Sequence, residues 1–484
     1  MKKINFKLIF CVLIVLLIGI SFVNRTLQND LFFTIPLGNN ILNNGYSVNE
    51  VLTYHNDYSF YNVRWLFDII IAIIYNNCGF DGIYIFTVVL SCVISVLVFS
   101  IIYKRSKKPI FSLVYTAFGM LVINEMITAR AQLISTIIFI IQYYCLEELL
   151  KSNKLRYKII LLVLPVLLVN IHGSVFPMYF IFYLPFIAEY LLTKSPKLEN
   201  YFKKLDVDKS INYKPLFIII LVNLFEGLIN PNGLYPYYMM FATFVGISSR
   251  IISEMQPITA EFLIAAIVML TQFFAHNYKQ KTHQFCMFIG LTMMAFMTIR
   301  SSIYYYTIGL IIASQYTNTV IDKSFEIKKE LFKNSFLRIL KIIIVICIVV
   351  LCFFTFISNY NNLYLPKSFY PIEATAFLKD NIDLDKEVLY NDFNFGSFLE
   401  FNGIKTFIDS RAEVFEKPFN DTTILHDLVY ACYTDKVDYN EFFEKYGFTI
   451  IMTSKKNDLY KKANGDNSLV CLYEDDYFVI WRIK

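Results

Sequence analysis

Apolar runs long enough to cross a bilayer recur through roughly the first 360 residues of the chain and then stop. This feature constrains the fold more than any other. Inside a membrane every backbone N–H and C=O must be satisfied within the chain, so runs of about twenty apolar residues must be helices. Spans are expected at approximately 5–24, 81–103, 109–128, 131–150, 157–171, 174–193, 214–230, 258–276, 284–299, 302–321 and 339–358, about eleven in all. The first, behind Met1-Lys2-Lys3, has no small-residue cleavage site at Ser21-Phe22-Val23-Asn24 and reads as an uncleaved span.

Charge orients these spans. Lys and Arg concentrate in the connections 104–108, 151–158, 194–214, 277–283 and 322–341, whereas the alternate connections hold Arg25, Arg64, Arg130, Arg250 and Arg300 and no Lys. Positive residues stay cytoplasmic, which gives N-terminus in and C-terminus out. The net charge of +5 is therefore a membrane-orienting charge and not a nucleic-acid footprint. Two apolar runs are too short to span. Trp65 to Tyr75 ends at Asn76-Asn77-Cys78-Gly79, and Tyr235 to Ile247 follows Asn230-Pro231-Asn232-Gly233. Both are expected to lie at the outer surface. The composition changes near residue 360. A helix at 374–381, strands at 388–390, 406–408, 448–453 and 469–483, and helices near 420–433 and 438–446 suggest a small α/β domain outside the membrane. The expected architecture is an all-α polytopic membrane domain over 1–359 and an extracytoplasmic α/β domain over 360–484.

With this topology Asp30, His55, Asp57, Arg64, Arg130, Asn170, His172, Asn230, Arg250, Glu254 and Arg300 share the outer face. Arg grips phosphate through a bidentate fork, and a carboxylate or His takes a proton from an attacking hydroxyl. Such a set suits an anionic lipid-phosphate substrate. Each residue also has a plainer reading. The arginines can be headgroup anchors, His55 a solvated loop residue, Asn170 and His172 helix caps, and Glu254 an i,i+4 partner of Arg250. His276 and His283 fall on the Lys-rich side and are set aside. Zinc spacings, His-Glu-x-x-His, a Gly-rich phosphate loop and a Ser-nucleophile elbow are all missing from the sequence, as is a ladder of intramembrane acids.

The order of short motifs resembles the polytopic glycosyltransferases of the GT-C superfamily, in particular bacterial members that use polyprenyl-phosphate-linked sugars. The resemblance rests on Asp30 in the loop after the first span, Gly38-Asn-Asn-Ile-Leu-Asn-Asn-Gly45, Thr53-Tyr-His55 and Arg64-Trp-Leu-Phe-Asp68. It continues through Thr128-Ala-Arg130-Ala-Gln132, Asn170-Ile-His172-Gly173, Asn230-Pro-Asn-Gly233 and Glu254-Met-Gln-Pro257. It implies a membrane glycosyltransferase of the bacterial plasma membrane, with a polyprenyl-phosphate sugar as donor and a cell-envelope glycan or lipid as acceptor. Asp30 would be the base assisted by His55, and Arg130, Arg250 and Arg300 would hold the donor phosphate, with His172 and Glu254 beside them. Asp30 stands between Asn29 and Leu31, without a second acid, and the Trp-Trp-Asp-Tyr-Gly motif is missing. These departures argue against protein N-glycosylation and leave a divalent metal open; no other cofactor is implied. In the tail, Asn391-Asp-Phe-Asn-Phe-Gly396 and Phe407-Ile-Asp409-Ser-Arg411-Ala-Glu413 resemble segments of similar bacterial outer domains. Asp409 and Arg411 read either as an internal pair fixing a loop or as a contact for a sugar acceptor. The alternatives to an enzyme are a lipid-glycan flippase and an envelope assembly factor.

Overall fold

The structure, a computed structural model, describes residues 6–195, 197, 202, 205–245, 252–275, 279–328, 334–434 and 437–484. The chain opens with six helices: α1 (Phe6–Ser21), α2 (Asp30–Asn44), α3 (Trp65–Ser106), α4 (Pro109–Val122), α5 (Ala131–Ser152) and α6 (Leu155–Ile171). The protein is a multi-pass membrane protein. Among the described residues five helices are long and apolar enough to cross a membrane: Trp65–Ser106, Ala131–Ser152, Gly173–Lys194, Ser253–Phe274 and Arg338–Tyr360. Phe6–Ser21, Pro109–Val122 and Thr282–Met297 are shorter apolar helices.

The chain divides into two compact units. The first comprises 1–25, 84–237 and 252–361, and the second 26–83, 238–251 and 362–484. The tail expected from 360 onward is thus one part of its unit, because residues 26–83 fold with it. In this second unit the Tyr54 hydroxyl donates to the Leu389 carbonyl (3.1 Å), Tyr58 to Thr422 (2.8 Å) and Tyr370 to the Leu27 carbonyl (2.8 Å). The loop satisfies its polar groups on the tail, and so departs from the expected 1–359 domain.

The run 65–75, expected as a helix apart from the span at 81–103, is a helix of its own: the stretch labelled α3 is two helices that meet at a kink. Gly79 (φ 60°, ψ −155°) breaks the helical path there. Asn76 and Asn77 do not end the first of them, because their amides donate to Asn39 and to the Ile73 carbonyl (both 2.7 Å). Gly38, in α2, faces the same stretch. A Cβ there would lie 2.1 Å from the Asp68 carbonyl oxygen, so α2 and α3 approach as closely as only glycine allows.

In the first unit a two-residue parallel pair joins β1 (Leu205–Asp206) to β2 (Gln280–Lys281). In the second, β3 (Leu389–Asn391), β4 (Ile450–Ser454), β5 (Leu469–Glu474) and β6 (Phe478–Ile483) form a sheet in the order β3-β4-β6-β5. The β3–β4 pair is parallel and the others antiparallel. Leu378, Leu389, Leu399, Ile450, Met452 and Ile480 pack as its core. The apolar stretch 406–408, expected as a strand, bends at Phe407 and, among the described residues, makes a single bridge, Thr406 to Thr53. Asn391 satisfies it instead, its side chain accepting from Phe407 N (3.0 Å) and donating to the Ile408 carbonyl (2.7 Å).

Candidate functional site

Five segments of the first unit, far apart in sequence, are joined by consecutive bonds. Arg130 precedes α5 in extended conformation and ion-pairs with Glu254, both side chains partly exposed. Glu254 sits in the 3₁₀ turn Ser253–Met255, whose next residue accepts at its carbonyl from Ile299 N (2.9 Å). Arg300 lies on the 3₁₀ turn Ile299–Ser301, held by Gln132, which donates to its carbonyl at 2.8 Å. One turn along α5, Ser135 Oγ is 2.9 Å from His172 Nδ1. Asn170 donates to the Ile229 carbonyl (2.8 Å), tying the end of α6 to the Asn230-Pro-Asn-Gly turn. Asn230 caps that turn by accepting from Asn232 N (2.7 Å). Arg130, Glu254 and Arg300 are thereby stitched to one another, with His172 buried (4% exposed) beneath them. Glu254 has Arg130 as a partner; Arg250, its expected i,i+4 partner, lies outside the described residues, as does His276. Arg300 is exposed, and its guanidinium pairs with no carboxylate among the described residues. It is thus open to an anionic ligand.

Asp30 belongs to the second unit, where it opens α2 and is partly exposed. Thr34 donates to its carbonyl (2.8 Å) and closes the first turn. His55 has a different setting from the catalytic one expected of it. Its Nε2 lies 2.8 Å from the Phe407 carbonyl, and its ring stacks on Tyr58 at 4.9 Å. Burial holds the imidazole below its usual pKa, partly opposed by the Phe407 carbonyl and by Asp57, Glu50 and Asp409. The neutral ring donating to Phe407 is a strut between the loop and the tail.

Asp409 and Arg411 are buried, with Arg411 1% exposed, so they do not form an acceptor surface. Arg411 forks onto Glu50 (Nη1–Oε2 2.7 Å, Nη2–Oε1 2.8 Å) and donates through Nε to Asp409 (2.9 Å). Phe60 and Phe33 lie 4.8 and 5.6 Å from its guanidinium carbon. A third carboxylate, Glu400, stands 3.6 Å away. Burial and the Asp409 charge hold Glu400 well above the usual carboxylate range, and this outweighs Arg411. The Thr406 hydroxyl donates to Glu400 Oε1 at 2.8 Å.

Two features escaped the sequence reading. A cavity of about 260 Å³ opens where β3 and β4 end, lined by Asp392, Asn394, Ser454, Lys456, Asn457 and Phe369. Ligands of α/β sheets collect at such carboxyl ends. Asp392, next to the expected strand, was the available signal. Its carboxylate accepts from Ser454 N (2.8 Å) and Thr453 (3.0 Å), and burial pushes its pKa up to about 6. The second feature is a buried ionic knot in the first unit. His283 is held between Glu189 (Nδ1–Oε2 2.6 Å) and Glu147 (Nε2–Oε1 3.0 Å). Glu147 also meets Arg105 (3.0 Å) and Lys151 (3.1 Å). With both ring nitrogens facing carboxylates, His283 donates twice, as an imidazolium. Glu147 and Glu189, set in apolar runs, were the visible signs. Among the described residues no three His, Cys, Asp or Glu side chains converge as metal ligands.

No protein-family model matches the chain, and no curated protein does. Solved structures do. The apo oligosaccharyltransferase of Archaeoglobus fulgidus aligns with a TM-score of 0.61 at 11% identity, over 94% of this chain and 70% of its own. The oligosaccharyltransferase AglB of the same organism, in complex with an inhibitory peptide and a dolichol-phosphate, aligns with a TM-score of 0.57 at 12% identity, over 93% and 70%. ArnT from Cupriavidus metallidurans, bound to undecaprenyl phosphate, aligns with a TM-score of 0.52 at 9% identity, over 98% and 97%.

Proposed function

We propose that this chain, which has the fold of the polytopic GT-C glycosyltransferases, transfers a sugar from a polyprenyl-phosphate donor to a cell-envelope glycan or lipid at the outer face of a bacterial plasma membrane. The observation that carries the reading is the stitched set of Arg130, Glu254 and Arg300, with His172 buried beneath them, on a fold whose solved examples hold dolichol-phosphate or undecaprenyl phosphate. The acceptor oxygen attacks the anomeric carbon, and its proton is assigned to Asp30 from the position of Asp30 in the sequence alone. The bond from that carbon to the phosphate oxygen breaks, and the electron pair leaves with the polyprenyl phosphate. Arg300 stabilises the charge that grows on the phosphate, an interaction stronger in the transition state than before it. Arg130 joins it by exchanging Glu254 for phosphate, and Arg250 belongs to the same proposal by sequence position. His55 is left out because Phe407 holds it. In the tail, the cavity at Asp392 replaces the Asp409–Arg411 pair as the candidate acceptor contact.

The test is transfer from labelled polyprenyl-phosphate sugars to envelope lipids by purified protein in lipid. Wild type should transfer. Asp30→Asn should lose transfer while still binding donor, and Arg300→Ala should lose about 2–3 kcal/mol of transition-state stabilisation, roughly 30- to 150-fold in rate. Donor binding without transfer in the wild type, unchanged by Asp30→Asn, would make the protein a carrier of lipid-linked sugar.

A further inference from the structure

In the second unit β3 and β4 run parallel, and the cavity of about 260 Å³ opens at their carboxyl ends. One side of it is fixed by Asp392, which follows β3. Its carboxylate accepts from the Thr453 hydroxyl (3.0 Å to each oxygen), Ser454 N (2.8 Å) and the Tyr390 hydroxyl (3.2 Å), and Asn457 bonds it as well. A carboxylate offers about four lone-pair sites, so Asp392 is filled by the protein. It ties the end of β3 to the end of β4 and shapes the cavity, and the ligand-binding groups must be others. Phe395 and Phe478 also line it and meet edge-on at 5.5 Å, both 2% exposed.

The remaining lining residues are better placed for a ligand. Phe369 N and Tyr370 N both donate to the Pro366 carbonyl (2.9 and 3.0 Å), and the turn they close presents Ser368 and Phe369 to the cavity. Asn394, on the segment after β3, is exposed. Among the described residues neither the Ser368 hydroxyl nor the Asn394 amide has a hydrogen-bond partner. Phe369 is 64% exposed, with Lys456 Nζ 5.4 Å from its ring centroid. An exposed ring alone is ordinary, but this one stands beside a hydroxyl and an amide in one cavity. A hydroxyl and an amide each donate and accept, which suits a ligand whose own polar groups do both, as a polyol's do. The C–H face of a sugar ring carries the positive edge that the negative face of an aromatic ring attracts. The volume lies below the roughly 300 Å³ at which sites for drug-sized ligands begin, so the cavity suits one ring and not a nucleotide or a peptide.

We propose that this cavity binds one neutral pyranose unit of a glycan acceptor, its C–H face on Phe369 and its hydroxyls on Ser368 and Asn394. That the sugar belongs to the acceptor rests on the proposed transferase reading; the binding of a sugar does not.

The experiment is saturation-transfer NMR on the full chain in lipid nanodiscs, with the methyl pyranosides of glucose, mannose, galactose and N-acetylglucosamine, and of glucuronic acid as the anionic comparison. At least one neutral pyranoside should receive saturation, strongest on the C–H protons of one ring face. Phe369→Ala should weaken its binding about 2- to 12-fold, and Asn394→Ala by a similar factor. Val470→Ala, at an exposed residue of β5 that does not line the cavity, should leave it unchanged. Saturation of no neutral pyranoside, or binding that survives both Phe369→Ala and Asn394→Ala, would overturn the proposal. Binding of the glucuronide alone, lost in Lys456→Gln, would overturn it in favour of an anion site. Measured beside sugar transfer, the two readings separate. Transfer without pyranoside binding overturns this inference and leaves the transferase, whereas binding without transfer supports the sugar site and removes its role toward an acceptor.

Discussion

Removing Arg411 takes the one cation out of a buried set of three carboxyl groups, Glu50, Asp409 and Glu400. Arg411→Met keeps much of the volume but leaves Glu50 and Asp409 charged and unpaired. Breaking a buried pair in this way costs about 3–5 kcal/mol, which shifts the folded-to-unfolded ratio by roughly two to four decades. Arg411→Lys keeps the charge but loses the fork, so it should fall in between. Glu400→Gln should behave in the opposite way. Burial and the Asp409 charge raise the Glu400 pKa and so favour its neutral form, and Gln is a neutral side chain of the same shape. The sign follows from the raised pKa. The folded state keeps a proton that the unfolded chain releases above its ordinary pKa, so this contribution is fully present at low pH and is lost as pH rises. Glu400→Gln should therefore gain on wild type between pH 5 and 8, by at most about 1.4 kcal/mol per pH unit. Pulse proteolysis of the full chain across a urea series, read on fragments of residues 362–484, measures all three variants. If Glu400→Gln destabilised the protein as much as Arg411→Met at every pH, Glu400 would be a charged counterion and the reasoning would fail.

Three further outcomes follow from the geometry. Gly38→Ala puts a methyl against the Asp68 carbonyl and should cost about 1–3 kcal/mol by overpacking, visible as a lower midpoint of thermal unfolding. Asp392, raised to about 6 from 3.8, should lose up to about 3 kcal/mol of its contribution as pH rises from 4 through 6, and Asp392→Asn should flatten that part of the stability curve. His283→Gln should destabilise the protein by about 3–5 kcal/mol because Glu189 loses its cation; adding Glu189→Gln should restore about 1–3 kcal/mol, and a double-mutant cycle with no such coupling would refute the imidazolium assignment.

The membrane helices were legible because a bilayer imposes a length and a polarity that no other solvent does. The absence of lysine from alternate connections groups Arg130, His172, Glu254 and Arg300 in the sequence, and bonds join their segments in the structure. The wiring between them was not legible. The partner Glu254 does show, Arg130, is 124 positions away, and no local spacing rule points to it. Arg411 and Glu50 are 361 residues apart, and such a pairing leaves no periodicity to read. His55 looked functional for the same reason, since its partner Phe407 is equally remote. Glycine was misread in one direction. Gly38 weakens α2 as a helix former, yet the close approach to α3 depends on it.

The knot around His283 also bears on how the chain is made. Glu147 precedes His283 by 136 residues and Glu189 precedes it by 94. Translation at about 5–20 residues per second separates their synthesis by several seconds. Arg105 is already present when Glu147 emerges and can neutralise it at once. Glu189 has to wait, with its carboxylate in an apolar helix, until helix Thr282–Met297 is made. The first unit thus cannot finish assembling helix by helix in order of synthesis. A nascent chain halted before His283 should expose Glu189 to the insertion machinery and its quality control.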